Sequence, residues 1–234
     1  GGTPQYSRPC CVGPISPKDT HDLQTDIKHL QAAMAKNSVS QGFMNAASPG
    51  VIALFLPNQY YPDHESYLIA LGEALKTEYQ AIIASGLSLQ LDCPDLALSR
   101  HMLFTEKSDD EFLDLARLHM EVLNSALEGL PAEKIRLHIC WGNYEGPHHC
   151  DIAMEKVFDV LMSSKAQYVL FENANPRHGH EWIVFEEKSA QIPDDKILVP
   201  GVVDTTTNFV EHPRLIAQRL ERFVNFLGRE RVVA

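Results

Sequence analysis

Short apolar segments alternate with longer amphipathic stretches along the chain, and this alternation predicts β-strands joined by α-helices. The predicted strands are Cys10–Ile15, Gln41–Ala46, Leu87–Asp92, Ile135–Cys140, Tyr168–Glu172, Ile197–Val203 and Arg231–Ala234. The predicted helices are His21–Ala35, Asp63–Ser85, Ser108–Leu127, Ile152–Ser163 and His212–Leu227. Since a helix follows almost every strand, the pattern favours an α/β domain with a parallel sheet.

The order of these elements also predicts the architecture. Repeated strand and helix units indicate a (β/α)8 TIM-type barrel, with a doubly wound sheet as the alternative. No G-x-G-x-x-G or G-x-x-x-x-G-K-[ST] motif follows a strand, which argues against the nucleotide-binding forms of that alternative. We expect residues 1–234 to form a single barrel domain. Because the chain opens at Gly1 and closes in a strand-like segment, we expect a piece of a longer polypeptide, truncated at both ends of the barrel.

Polar residues cluster where the predicted strands end. The groups are Ser48-Pro49-Gly50, Asp92-Cys93-Pro94, His138-Ile139-Cys140, Glu172-Asn173 and Asp204-Thr205-Thr206. In a parallel barrel the carboxyl ends of all strands open on one face, where such folds build active sites. The sequence therefore predicts a functional site on this rim.

One imidazole, one thiol and one carboxylate of this rim have the chemistry of metal ligands. His138 and Cys140 are two residues apart, so in a strand they point to the same side. Glu172 ends the next strand, and together the three side chains supply three of the four ligands of a tetrahedral zinc site. The alternatives are a buried histidine beside a packed cysteine, and a strand-end glutamate bonded to loop amides.

Composition and net charge limit the classes of binding partner that the chain is expected to have. With 44% hydrophobic residues the chain can bury a sizeable core, and its 20 Lys and Arg against 31 Asp and Glu give a net charge of −11. Nucleic acid and anionic membranes are therefore poor partners. No stretch reads as a membrane span or signal segment, and five cysteines without a regular framework fit a reducing compartment, so we expect a cytoplasmic protein.

Four motifs carry a family resemblance. Leu89-Gln-Leu-Asp92-Cys-Pro-Asp-Leu-Ala97 resembles the IQIDEPAL strand of the catalytic domain of cobalamin-independent methionine synthase. His138-Ile-Cys140 resembles the H-x-C zinc pair of that family, Phe171-Glu172-Asn its glutamate strand, and Pro200-Gly-Val-Val-Asp204 its GPGVYD turn. Short relatives of this family include the epoxyalkane:coenzyme M transferases. The segment from Trp141 to His148 resembles these short relatives more closely than it resembles methionine synthase.

The resemblance implies Zn2+ held by His138, Cys140, Glu172 and a further cysteine expected just beyond Ala234, with Cys150 a poor substitute. It implies two small-molecule partners, a thiol and an alkyl or methyl donor. The implied reaction is attack of a zinc-bound thiolate on a methyl or epoxide carbon. By the same resemblance Asp92 would hold a substrate amino group. We also assign Trp141 and Ser48 to substrate binding. Whether the chain forms a homo-oligomer is left open.

Two departures from the family affect the expected reaction. Cys93 stands where methionine synthases have Glu, and Thr206 stands where they have a proton-donating His. We therefore assign proton donation to His178 and His180, which follow the Glu172 strand, rather than to His212. The alternative functions are a non-catalytic or ligand-binding barrel and a metal-free barrel of the uroporphyrinogen decarboxylase type.

Overall fold

Five parallel strands alternate with helices in the computed structural model, which describes residues 9–143 and 146–234. The strands are β1 Phe43–Ala47, β2 Ser88–Asp92, β3 Ile135–Ile139, β4 Tyr168–Glu172 and β5 Ile197–Gly201. Each strand pairs with the next one in the chain, in the order β1-β2-β3-β4-β5. All four strand pairs are parallel, which confirms the predicted α/β class.

The helices cover one face of this sheet. They are α1 His21–Lys36, α2 Pro49–Phe55, α3 His64–Ala84, α4 Leu98–Met102, α5 Asp109–Ala126, α6 Met154–Met162, α7 Trp182–Glu187 and α8 Pro213–Leu227. Alternate strand residues bury against them, and the side chains that form this inner layer are at most 2% exposed: Leu89, Leu91, Leu137, Ile139, Val169, Phe171 and Leu198. The intervening residues face the other way and form the site described below.

The sheet is open in the described part of the chain. β1 and β5 are its two edges and do not pair with each other, so the predicted barrel is not closed. The predicted strand Cys10–Ile15 is wrong: Cys11 forms only an isolated parallel bridge, with Asn58. Arg231–Ala234 is also wrong as a strand, because Arg229–Arg231 is a short 3-10 helix and Val232 bridges to Leu198.

Local capping explains where the helices begin. Asp63 accepts a hydrogen bond from the backbone N–H of Ser66 and starts α3. Ser108 and Glu111 form a capping box at the start of α5. Ser48 caps α2, a helix that the sequence pattern did not predict. No helix in the described part of the chain is long and apolar enough to cross a membrane.

Candidate metal and substrate site

The strand register brings His138, Cys140 and Glu172 onto the uncovered face of the sheet. Ile139 pairs with Phe171 across β3 and β4, so Cys140 and Glu172 follow the last paired positions of adjacent strands. His138 pairs with Leu170 and precedes Cys140 by two residues on the same face. All three side chains line one cavity of about 650 Å³.

Asp92 orients the imidazole of His138. The strands pair Asp92 with His138, and Asp92 Oδ1 lies 2.7 Å from His138 Nδ1. When Nδ1 donates to this carboxylate, Nε2 is the ring nitrogen left to bind a ligand. A carboxylate behind a histidine is the usual support of a metal-bound imidazole. The structure thus gives Asp92 a partner within the chain, whereas its predicted contact with a substrate amino group stays a prediction.

One oxygen of Glu172 is held by the loop that follows β4. Oε1 accepts hydrogen bonds from the backbone N–H groups of Ala174, at 2.7 Å, and Asn175, at 3.2 Å. This is the contact that the loop-anchor alternative describes. Oε2 is the oxygen that would be left for a ligand in the cavity, so the anchoring contact and a ligand role are compatible.

The thiol of Cys140 is half-buried beside these groups. Burial raises its pKa, against a hydrogen bond from the backbone N–H of Gly142, and the carboxylates of Asp92 and Glu172 raise it further. The thiol is therefore protonated at neutral pH without a bound cation.

The donor chemistry fits zinc, but the side chains are not preassembled. Imidazole nitrogen, thiolate sulfur and carboxylate oxygen are the ordinary protein ligands of Zn2+. Over residues 9–143 and 146–234, however, no group of three or more His, Cys, Asp and Glu side chains is arranged to hold a metal ion. The three groups share a cavity wall, and side-chain movement would be needed to bring them into one coordination sphere.

A second cavity adjoins the first on the β1 side. It has a volume of about 680 Å³ and shares His138 and Gln90 with the first. Its wall is mainly apolar: Ala46, Ala47, Val51, Ile52, Phe55 and Leu56. The imidazole of His138 therefore lies between two connected spaces, one beside the candidate ligands and one lined by α2.

The predicted substrate residues Ser48 and Trp141 make structural contacts. Ser48 is 1% exposed, accepts from the backbone N–H of Val51 and donates to Asp95 Oδ1 at 2.7 Å. Trp141 lines the first cavity, yet it is 1% exposed and its indole N–H donates to the carbonyl of Ile152 at 2.7 Å. Contact of either residue with a substrate stays a prediction.

His178 lies in a buried cluster behind the cavity. Its Nδ1 is 2.8 Å from Glu181 Oε2, its Nε2 is 3.2 Å from Asp151 Oδ2, and its ring stacks on Trp141. Burial opposes protonation, but the hydrogen bonds to Asp151 and Glu181 outweigh burial and raise the pKa of His178. His180 is exposed and lines a separate cavity, together with Asp204 and Thr206. Proton donation by either histidine stays a prediction.

Several residues of the site were not predicted from the sequence. Arg136 and Gln90 line the cavity, and the two-residue alternation that placed His138 and Cys140 on one face also places Arg136 there. Asp151 was not singled out, since its role depends on contacts 27 residues away in the chain. Cys93, which stands where the resemblance implies a glutamate, is fully buried in the core.

Comparisons with known proteins agree with the motifs. The chain is 28% identical to the methionine synthase of Pyrococcus furiosus over 184 residues, which are 78% of this chain and 45% of that protein. It is 33% identical to the methionine synthase of Pyrococcus horikoshii over 97 residues, 41% of this chain and 25% of that protein. The chain thus spans less than half the length of these relatives. No family model matches it.

A solved structure shows the same fold. The B12-independent methionine synthase from a Shewanella species, in complex with selenomethionine, superposes with a TM-score of 0.72 at 21% identity, over 94% of this chain and 60% of that one. The matched Pyrococcus segment covers most of the sequence as well. This chain therefore shares homology with the methionine synthase of Pyrococcus furiosus over most of its length, and it has the fold of the Shewanella enzyme.

Proposed function

We propose that this chain carries the metal and thiol-binding part of a zinc-dependent alkyl- or methyltransferase that acts on a thiol. The observation that carries the proposal is the shared cavity of His138, Cys140 and Glu172, with Asp92 hydrogen-bonded behind the imidazole. The homologous relatives are named methionine synthases, which is consistent with methyl transfer to sulfur. His138 Nε2, Cys140 Sγ and Glu172 Oε2 would hold the metal.

Bound zinc would supply a Lewis acid that lowers the pKa of a substrate thiol, so that thiolate is present at neutral pH. The residues of this chain then position the reactants. Asp92 fixes the imidazole, the Ala174 and Asn175 amides fix Glu172, and apolar side chains of α2 line the neighbouring space. The carbon donor would approach His138 from that apolar space.

For protonation of the leaving group, we propose His180 ahead of His178. Both ring nitrogens of His178 already contact carboxylates, whereas His180 lies exposed on the rim. If His180 is the donor, His180→Asn removes a titration from the pH profile of kcat and His178→Asn does not. Loss of the titration in His178→Asn alone would make His178 the donor, and an unchanged profile in both variants would assign the proton to water.

Cobalt substitution tests the metal proposal directly. Co2+ bound by a cysteine gives a sulfur-to-cobalt charge-transfer band in the near ultraviolet, so we expect this band in the parent chain and its loss in Cys140→Ser. Cys150→Ser is the matched control, because Cys150 is a half-buried free thiol just outside the proposed ligand set. If both variants keep the band, Cys140 is not a ligand.

A metal-free or ligand-binding barrel is the second candidate. It is favoured by the lack of a preassembled metal group among the described residues. Mass spectrometric detection of an alkylated thiol product in the zinc-loaded protein supports the transferase. Binding of neither zinc nor cobalt in the parent chain would favour the metal-free barrel.

A further inference from the structure

The short helix α2 forms one wall of the apolar cavity beside His138. Val51, Ile52 and Phe55 of this seven-residue helix line the cavity, and so does Leu56, which follows the helix. A helix this short has little stability of its own, because its first hydrogen-bonded turn is costly to form. The position of α2 therefore depends on its contacts with neighbouring elements.

A chain of side-chain hydrogen bonds joins the start of α2 to the start of α3. Ser48, the N-cap of α2, donates to Asp95 Oδ1, and Asp95 Oδ2 lies 2.8 Å from His119 Nδ1. His119 Nε2 lies 2.9 Å from Nε2 of His64, the first residue of α3. An ionised carboxylate only accepts hydrogen bonds, so His119 Nδ1 is the donor to Asp95. The contact between the two Nε2 atoms then requires one proton between the rings.

This contact can hold one proton but not two. With one proton between the Nε2 atoms, one ring donates and the other accepts. With a proton on each atom, two N–H groups would face each other across 2.9 Å, and the rings must separate. His119 is 5% exposed and is held by Asp95 on its other nitrogen, whereas His64 is only partly buried. His64 is therefore the ring that moves away.

Movement of His64 affects both ends of α2. At the start of the helix, His64 ends the hydrogen-bonded chain that runs through His119 to Ser48. At the other end, Tyr67, one turn after His64 on α3, donates its hydroxyl hydrogen to the carbonyl of Leu56 at 2.8 Å. The first turn of α3 thus fixes α2 at both ends, and its displacement loosens the wall of the apolar cavity.

We propose that the His64 and His119 pair is a pH-sensitive latch on α2, which is closed while the two rings share one proton. Protonation of both rings releases the first turn of α3 and lets α2 move away from the apolar cavity. As regulation of a transferase site, this inference rests on the proposed function. The movement of α2 itself involves none of the proposed metal ligands.

The groups around the latch favour the closed state at neutral pH. Burial and His119 lower the pKa of His64, against the opposing effects of Asp63 and Asp95. The residues of α2 carry no titratable side chain. Two further groups near Asp95 stay uncharged from pH 5 to 7.5, because burial raises the pKa of both: Tyr79 and Cys93. His64 and His119 are therefore the groups of this cluster that take up protons as the pH falls toward 5.

Hydrogen exchange followed by mass spectrometry tests the latch on the metal-free chain. Exchange of the α2 amides is measured at pH 7.5 and pH 5 and corrected for the intrinsic pH dependence of amide exchange. Opening that takes up one proton is favoured by up to tenfold per pH unit, so we expect the corrected rate to rise about tenfold in total. The amides of β2 should keep their protection at both pH values. Equal corrected rates for α2 at both pH values would overturn the latch.

Two variants of His64 should shift α2 in opposite directions. Gln in His64→Gln has a side-chain N–H that can donate to His119 but takes up no proton, so α2 should exchange slowly at both pH values. His64→Ala removes the contact, so α2 should exchange rapidly at both. His29→Gln, at an exposed position on α1, is the matched control and should follow the parent. Exchange that remains pH-dependent in His64→Gln would contradict the latch.

The exchange experiment and the cobalt experiment on Cys140 can fail separately. A pH-dependent α2 in a chain that binds neither cobalt nor zinc would support the latch and count against the proposed transferase. A cobalt band that depends on Cys140, together with α2 exchange that does not respond to pH, would overturn the latch and leave the transferase proposal standing.

Discussion

Two histidine clusters lie behind the candidate site, and they respond to pH in opposite directions. In the first, His178 lies between Asp151 and Glu181 and is stabilised as a cation. In the second, His64 and His119 share a 2.9 Å contact between their Nε2 atoms, so at least one of these nitrogens carries no proton. A proton therefore strengthens the first cluster and weakens the second.

The His178 cluster should stabilise the fold toward acidic pH. The pKa of His178 is raised above its usual 6.5, so its contribution is complete below that value and is lost as pH rises through the folded pKa. We expect His178→Asn to lower the unfolding free energy by about 3 kcal/mol near pH 5.5 and by less near pH 9. Urea unfolding at both pH values measures this, with the exposed neighbour variant His180→Asn as control. A loss that is independent of pH would mean that His178 contributes by packing alone.

The His64 cluster should destabilise the fold toward acidic pH. Burial, together with His119, lowers the pKa of His64 from 6.5, against the opposing effects of Asp63 and Asp95. Its contribution is therefore complete above pH 6.5 and fades as pH falls toward the folded pKa. We expect the unfolding free energy of His64→Gln to change less than that of the parent between about pH 7.5 and 5. His29→Gln, an exposed histidine variant on α1, should follow the parent, and a His64→Gln curve parallel to the parent would refute the assignment.

Some contacts of the site could be predicted from the sequence, and others could not. Same-face placement of His138 and Cys140 follows from the two-residue period of a strand, which is local. The Asp92 to His138 hydrogen bond depends on the register of two strands, and the contact of His178 with Asp151 joins residues 27 positions apart in the chain. Such tertiary contacts leave no periodic signal in the sequence.

At the scale of elements, α2 links the His64 cluster to the site. Ser48, its N-cap, donates to Asp95 Oδ1, and Asp95 Oδ2 lies 2.8 Å from His119 Nδ1. The helix was missed because its Ser-Pro-Gly start reads as a turn, although serine before proline is also a typical helix start. By contrast, the start of α5 could be predicted from its capping residues, Ser108 and Glu111. The strand predicted at Cys10–Ile15 failed because apolar composition alone does not provide a pairing partner.

Gly50 is required where α2 meets this cluster. A Cβ atom at Gly50 would lie 1.9 Å from Asp95 Oδ2 and 2.5 Å from His119 Nδ1. We expect Gly50→Ala to lower the unfolding free energy by about 2 kcal/mol or more, although alanine favours helix over glycine. Urea unfolding checks this against Gly13→Ala, where a Cβ would meet nothing within 4 Å. A neutral Gly50→Ala would show that the Asp95 and His119 pair can move without cost.

At the scale of the whole molecule, the hydrophobic core and the candidate site lie on opposite faces of one sheet. The core includes fully buried side chains from both strands and helices, such as Leu91, Phe112, Leu137 and Phe158. None of the proposed metal ligands belongs to it. Folding is therefore supported by a layer that the metal does not touch, in contrast to small zinc domains that unfold without metal.

This separation predicts that metal adds stability without being needed for the fold. The metal-free chain should unfold cooperatively in urea, and zinc at about 100 times its Kd should raise the unfolding free energy by about 2.7 kcal/mol. Cys140→Ser should abolish most of this gain while leaving the metal-free stability nearly unchanged, and Cys150→Ser should keep the gain. The measurement is urea unfolding of all three proteins with zinc and with a chelator. An unfolded metal-free parent would contradict the separation of core and site, because the ligands would then be part of what holds the sheet together.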